Sequence, residues 1–267
     1  MENYMKNFEK FGIKRLSYSA LTSFYFERAK WVIQNFYDFD FPYSPPAIRG
    51  FALEKTVSAK YLGGDPLQVA LDYYDQRIEK ENENCEFSTM EQGDKRLLSC
   101  KKERTIIERV VPLLLKKLDL ILPDAQLLIA QKKLVFKICD IDFIGYVDFH
   151  FETKTQPIIL DLKSASKKSG LTTSVMFQQA IYNHATNITP AVLYCYPTMD
   201  VEKGKDYRVL SNLDMYYKQV EKMVKSMDKF LGMVKDKEEL IELTHPNPDD
   251  WRWGVQETIA RKEVFGI

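Results

Sequence analysis

The amino-acid sequence predicts an α/β core carrying helical elaborations at both ends. Three observations lead to that expectation. Apolar residues recur with a helical period of about 3.6 through most of the chain up to Ala125. Beyond Pro123 the period shortens to about two over three consecutive segments. A further helical segment and a short apolar run follow, so the order is helices, three strands, helix, strand.

Taken in order, Ser17 or Ser19 is placed to cap a helix with apolar positions Leu21, Phe24, Tyr25, Val32 and Phe36. Pro42, Pro45 and Pro46 predict an extended break. A second helix is expected over about 49–62, stopped by Gly63 and Gly64. Asp65-Pro66 combines a cap with proline at the first helical position and opens a third helix towards Glu79. The polar stretch 82–92 predicts a loop, and 101–122 a longer helix with Pro112 as its kink point. Strands are expected over 130–138, 141–152 and 157–163, a helix over 172–185, and short strands over 191–196 and 207–210. Asn212 is placed to cap an amphipathic helix reaching about 234. The tail from His245, with Pro246, Pro248, Trp251 and Trp253, reads as irregular. The expected organisation is one domain over 1–267: a helical region 15–125, a sheet core 126–211 joined by the Glu54 helix, and C-terminal helices 212–267.

Composition removes several function classes. The 267 residues carry 38 basic and 38 acidic side chains, so a polyanion can be held only by a local basic groove. The four cysteines, Cys85, Cys100, Cys139 and Cys195, have no CxxC spacing and read as reduced thiols. The apolar runs 110–115 and 191–197 fall short of the ~20 residues of a membrane span. The N-terminal residues lack an apolar signal core, and a cytoplasmic protein is expected. GxxxxGK[ST], GxSxG and HExxH are absent, so no nucleotide cofactor is expected, and His150, His184 and His245 lack the spacing of a metal or hydrolase site.

The informative stretch is 143–163. With a two-residue loop at Lys154-Thr155 or a four-residue loop at 153–156, paired residues of the hairpin sum to 309, and so do Asp148 and Asp161. Their Cβ atoms would then lie ~5 Å apart. Lys163 projects on the face of Asp161, and Val147, Phe149, Phe151, Ile158, Leu160 and Leu162 form the opposite, core face. Two facing acids repel unless a cation or proton sits between them, and Mg²⁺ is held by one or two carboxylates plus substrate oxygens. A lysine beside the ion can neutralise developing charge. A solvated Asp–Lys strand face is the ordinary reading of a single D-x-K, and a one-residue slip would separate the pair.

Gln178 and Tyr182 share a helix face, although Tyr182 alone fits a core edge. Glu54 follows Gly50 by one turn, where a small residue admits close approach; a surface acid is the alternative. His150, on the Asp148 strand face, reads as supporting or structural.

Gly50-Phe-Ala-Leu-Glu54, Gly145-Tyr-Val-Asp148, Asp161-Leu-Lys163 and Gln178-Gln-Ala-Ile-Tyr182, preceded by Ser17-Tyr-Ser19-Ala-Leu21-Thr-Ser-Phe24, together resemble the RecB-type branch of the PD-(D/E)XK nuclease superfamily. The resemblance covers roughly 15–200. It implies a central mixed sheet flanked by helices, with Asp148 and Asp161 as metal ligands and Lys163 as catalytic lysine. Glu54 stands where many members carry a histidine metal ligand, and Gln178 and Tyr182 where the cleft is lined. The implied cofactor is Mg²⁺, with Mn²⁺ as substitute. Iron–sulfur relatives place Cys-Pro where this chain has Glu27-Arg28, and no cysteine follows Cys195, so no cluster is expected.

The implied activity is DNA phosphodiester hydrolysis by a phage-type exonuclease of recombination or DNA processing, with a recombinase or annealing protein as partner. The alternatives are a catalytically silent nucleic-acid-binding scaffold and a structure-selective endonuclease. DNA contacts are expected from Lys167 and Lys168, and more weakly from the basic stretch 94–104. Trp251 and Trp253 either stack on bases or dock the tail.

Overall fold

The computed structural model describes residues 5–37, 39, 41–83, 90–167, 170–247, 253 and 255–266. Ahead of the sheet come α1 (Met5–Lys10), β1 (Leu16–Ser17), α2 (Tyr18–Phe26), α3 (Arg28–Phe36), α4 (Pro45–Leu62), α5 (Pro66–Glu83) and α6 (Met90–Ile121). Then follow β2 (Gln126–Ile138), β3 (Ile141–Glu152), β4 (Ile158–Ser164), α7 (Thr173–Thr186), β5 (Thr189–Cys195) and β6 (Tyr207–Val209). The chain ends with α8 (Asp214–Met233), α9 (Lys237–Glu242) and α10 (Val255–Phe265). This is a central mixed sheet flanked by helices, as expected.

Local chemistry explains most boundaries. Ser17 Oγ accepts the Ala20 N–H at 3.1 Å and opens α2. The single helix expected there is broken at Glu27 (φ −147°, ψ 50°), which separates α2 from α3. Pro45 and Pro46 do not extend the chain; they start α4, where the first N–H groups have no helical acceptor to lose. Asp65 caps α5 through the Leu67 and Gln68 amides. Of the expected loop 82–92, residues 84–89 lie outside the described residues, and helix occupies the rest. α6 runs through Pro112 for 32 residues. Its fully buried face (Ile107, Val110, Val111, Leu114, Leu118) is worth ~1.5–3 kcal/mol per side chain, which outweighs a proline cost of ~3 kcal/mol.

Downstream, Thr172 caps α7, but Asn212 does not cap α8: it sits at φ 56°, and Leu213 is the capping position. The tail expected to be irregular contains α10, whose Glu257 pairs with Lys30 of α3 at 3.3 Å. Within this tail Trp253 donates Nε1–H to the Asn247 carbonyl at 2.8 Å, while Trp251 lies outside the described residues.

The β2–β3 hairpin turns on Cys139 and Asp140 at φ 50° and 65°, the backbone a two-residue turn requires. The β3–β4 pairs are Phe149↔Leu160, His150↔Ile159 and Phe151↔Ile158, each summing to 309 as expected. On the other side, β4 and β5 are parallel, and β1 adds a short parallel pair to β3 at Phe143 and Ile144.

One core assignment fails. Phe149, Phe151, Ile158, Leu160 and Leu162 pack against α4, α5 and α6, but Val147 packs in the cluster built by α2, α3, α7 and α8. Side-chain alternation is therefore broken at Asp148. Opposite it on β2, Gln131 has φ 53°, and the register passes from Ala130↔Phe149 to Lys132↔Val147 without pairing 131 to 148. A left-handed residue inside a strand has no signature in hydrophobic period.

Three residues before Asp148, Gly145 leaves room for the Tyr182 ring. A Cβ there would lie 2.9 Å from Tyr182 Cε1, and that ring is tethered at its hydroxyl. Gly145→Ala is expected to lower stability by about 1–3 kcal/mol in urea denaturation; a change below about 0.5 kcal/mol would show that the ring yields.

Candidate active site

β1 and β4 share one edge of β3, β1 at residues 143–144 and β4 at 149–151. Between them, residues 145–148 have no strand partner on that edge. The next pair in the β3–β4 register would be Asp148 and Asp161, and there the ladder stops. Asp148 Oδ2 instead accepts the Leu162 N–H at 3.0 Å, while β4 continues against β5 as Asp161↔Val192 and Lys163↔Tyr194. The two acids and the lysine thus collect where β3 and β4 part.

Asp161 is 2 % exposed. Lys163 Nζ lies 3.0 Å from its Oδ1 in hydrogen-bonding geometry and 2.8 Å from Oδ2, which makes no hydrogen bond. Nζ also donates to Gln178 Oε1 at 2.8 Å. Gln178 Nε2 donates to the Tyr182 hydroxyl at 3.2 Å, and that hydroxyl donates to the Tyr146 carbonyl at 2.8 Å. The carbonyl end fixes the direction of the whole chain: Tyr182 must give its proton away, so Gln178 turns its N–H towards Tyr182 and its oxygen towards the ammonium. Burial works against the Lys163 charge, but neighbouring Asp161 outweighs it and the net pKa is raised. Lys163 is an ammonium at neutral pH.

Glu54 reaches the same opening from α4 on the other side of the sheet. Its Oε2 accepts from Gln131 Nε2 at 2.7 Å. Burial first, then repulsion from Asp148 and Asp161, pushes its pKa up to about 8. Burial and Asp161 likewise push Asp148 up to about 7, against the pull of the Leu162 amide, Lys163 and Gln131. The three acids feel one another, yet among the described residues no three His, Cys, Asp or Glu side chains close to metal-ligand spacing. Each has its own protein partner.

Other sequence readings resolve differently. A Cβ on Gly50 would meet only Ser164 Cβ at 3.9 Å, an ordinary contact, so close approach does not require glycine there. α4 is spaced from β4 by Arg49, which is 3 % exposed, donates Nε–H to Ser164 Oγ at 2.8 Å and is ion-paired with buried Glu103. His150 stands apart: burial and Lys132 lower its pKa against Glu152, and no acid of the site acts on it. Lys167 is exposed beyond β4, and Lys168 lies outside the described residues. The basic stretch is largely engaged, Lys95 with Glu91, Arg96 with Asn82 and the Tyr43 carbonyl, Arg104 with Asp75 and Glu108. Lys102 lines a cavity of about 450 Å³ with Arg49, Glu103 and Ser166.

Sequence reasoning missed three neighbours. Gln131 bridges towards Glu54; Arg49 fixes the α4–β4 spacing; Tyr18 hydrogen-bonds Ser174 and is felt electrostatically by Lys163 and Asp161. Ser17-Tyr18 belonged to a quoted motif and carried a usable signal; the other two carried none.

The raised acids give the metal-free protein a pH signature. A carboxyl whose folded pKa exceeds its unfolded value contributes stability below the unfolded pKa and loses it as pH rises through the folded one. With Asp148 at about 7 and Glu54 at about 8, the melting temperature in chelator is expected to fall between about pH 5 and pH 9. Glu54→Gln should flatten that fall, and a profile identical to the parent's would remove Glu54 from the coupled group.

No family model matches the chain, and no curated protein does. Among solved structures, a protein from Eubacterium rectale whose exonuclease name is itself provisional superposes with a TM-score of 0.48 at 13% identity, over 92% of this chain and 88% of its own. The protein SSO0001 superposes with a TM-score of 0.31 at 11% identity, over 84% of each chain.

Proposed function

We propose that the chain is a divalent-metal-dependent phosphodiester hydrolase acting on DNA, an exonuclease of the PD-(D/E)XK type. The observation that carries this reading is the Lys163 ammonium, held between Asp161 and the Gln178–Tyr182 relay at the point where β3 and β4 separate. A purely structural Asp–Lys pair would not need its lysine oriented from the far side by an amide whose own direction is fixed by a backbone carbonyl.

The donor set fits a hard cation. Asp148, Asp161 and Glu54 offer only oxygen, Asp161 Oδ2 is buried without a hydrogen bond, and the raised acids are ones that a positive charge would stabilise. Mg²⁺ needs only one or two carboxylates, with water and phosphate oxygens completing its shell, so Asp148 and Asp161 suffice as direct ligands and Glu54 serves as the third. When bound, the ion supplies a water of lowered pKa and charge stabilisation at phosphorus.

The chain's own residues do the rest. Lys163 gives two of its N–H donors to Asp161 and Gln178 and has a third for a phosphate oxygen as negative charge grows there. As an ammonium it is a donor rather than a base. Lys167, and Lys102 on the cavity beside Ser166, are placed to hold the flanking phosphates.

With Mg²⁺, end-labelled linear DNA should be degraded and covalently closed DNA spared, and EDTA should abolish cleavage. Asp161→Asn and Lys163→Met should each lower kcat by about a hundred- to a thousand-fold while circular dichroism stays unchanged. Full activity in both variants would sink the assignment, and DNA binding without any cleavage by the parent protein would favour a silent scaffold. Lys102→Ala and Lys167→Ala should each reduce the slope of log affinity against log salt by about 0.7–0.9; unchanged slopes would move the DNA path elsewhere.

A further inference from the structure

Gln131 has no role in the motifs, yet three features of the fold converge on it. Among the described residues with positive φ it is the one inside a strand; Cys139, Asp140, Asn187 and Asn212 all lie in turns or at helix ends. Glutamine disfavours that conformation, and a residue held in it is held by its surroundings. The missing β2–β3 pair is the one that would join Gln131 to Asp148, so the distortion lies directly across from a site acid. Finally, Nε2 reaches across to α4 and donates to Glu54 Oε2 at 2.7 Å.

We propose that Gln131 is a positioning residue of this site: its carboxamide ties the Glu54 carboxylate of α4 to the Asp148 strand and so sets the affinity for the divalent cation, without touching the reacting phosphate. This rests on the metal-dependent reading above. The chemistry suits an amide. An amide N–H can hold the Glu54 carboxylate and adds no charge to compete with the cation. A glutamate at this position would add a fourth acid, and a lysine would occupy the cation's place electrostatically. The left-handed backbone is what turns the side chain of an edge strand towards the opening where Asp148 lies. Without the amide, Glu54 is anchored only through its own helix, and the ion loses the ligand that comes from a different layer of the fold.

Because Gln131 is exposed, its replacement should leave the fold intact. Two substitutions separate backbone from side chain. Gln131→Gly accepts the positive φ but lacks the amide, and Gln131→Ala lacks both. Full-length proteins would be titrated with Mn²⁺ by calorimetry in the absence of DNA, and the Mg²⁺ concentration for half-maximal cleavage measured in parallel. Both variants are expected to bind Mn²⁺ about ten- to a hundred-fold more weakly than the parent, with KM for DNA unchanged and kcat at saturating Mg²⁺ within about two-fold. Gln131→Gly on a Glu54→Ala background should add no further loss, because the amide acts through Glu54.

Parent-like Mn²⁺ binding by Gln131→Gly, or a loss that adds to that of Glu54→Ala, would overturn the proposal while leaving the nuclease reading in place. A parent protein that binds Mn²⁺ in the expected order of variants but leaves all DNA intact would overturn the nuclease reading and support the Gln131 assignment. A parent protein that takes up no Mn²⁺ would overturn both.

Discussion

The site depends on one backbone hydrogen bond that is not made between strands. In an unbroken antiparallel ladder the Leu162 amide would be satisfied by the neighbouring strand; here the Asp148 carboxylate takes it. That exchange satisfies a buried donor, as a folded interior demands, while β4 keeps its pairing with β5 from Ile158 to Ser164. The gap that results is flanked by β1 on one side and β4 on the other, and both helical layers can reach it. α7 sends Gln178 and Tyr182 from one layer, and α4 sends Glu54 from the other. A sheet paired continuously along that edge would separate the two layers and leave Glu54 remote from Lys163.

Charge explains why the opening is held rather than collapsed. Three carboxylates with one ammonium leave an excess of negative charge, and the protein meets it by protonation, with Asp148 and Glu54 titrating well above ordinary carboxylates. Lys163 lies against Asp161, with Nζ 2.8 Å from Oδ2. The arrangement costs the protein stability at neutral and higher pH, a cost that a bound cation or a proton can offset. Buried Glu103 is held differently, in an ion pair with buried Arg49.

Much of this was legible in the sequence because it depends on short-range rules. The hairpin register followed from a turn length and strand alternation, and the pairs from Phe149↔Leu160 to Phe151↔Ile158 keep it, with 148 and 161 next in line where the ladder stops. Helix caps at Ser17 and Asp65 worked for the same local reason. The failures were non-local. α6 begins at Met90 rather than near Lys101, and the buried face that carries it through Pro112 is assembled by α4, α5 and the sheet. Val147 was placed with Phe149 because alternation was assumed to be unbroken, and the residue that breaks it opposite, Gln131, lies on another strand. Arg49 and Glu103 are 54 positions apart and no pattern of either segment links them.

The misplacement of Val147 has a structural counterpart close by. The φ of Gln131, the absent 131–148 pair and the early end of the β3–β4 ladder lie around Asp148, while the β2–β3 register shifts separately between Leu127 and Ile129. A protein selected only to fold would gain by regularising them, since each gives up a ladder bond or holds a residue in a disfavoured conformation. Chance strain would be scattered; Gly63, Cys139, Asp140 and Asn187 also have positive φ, but each closes a turn or ends a helix, where that backbone is needed. Around Asp148 the irregularity brings no better local structure in return. What it does bring is access of Glu54 and Lys163 to the same acid from opposite layers, and that is the physical argument for the opening as the candidate site.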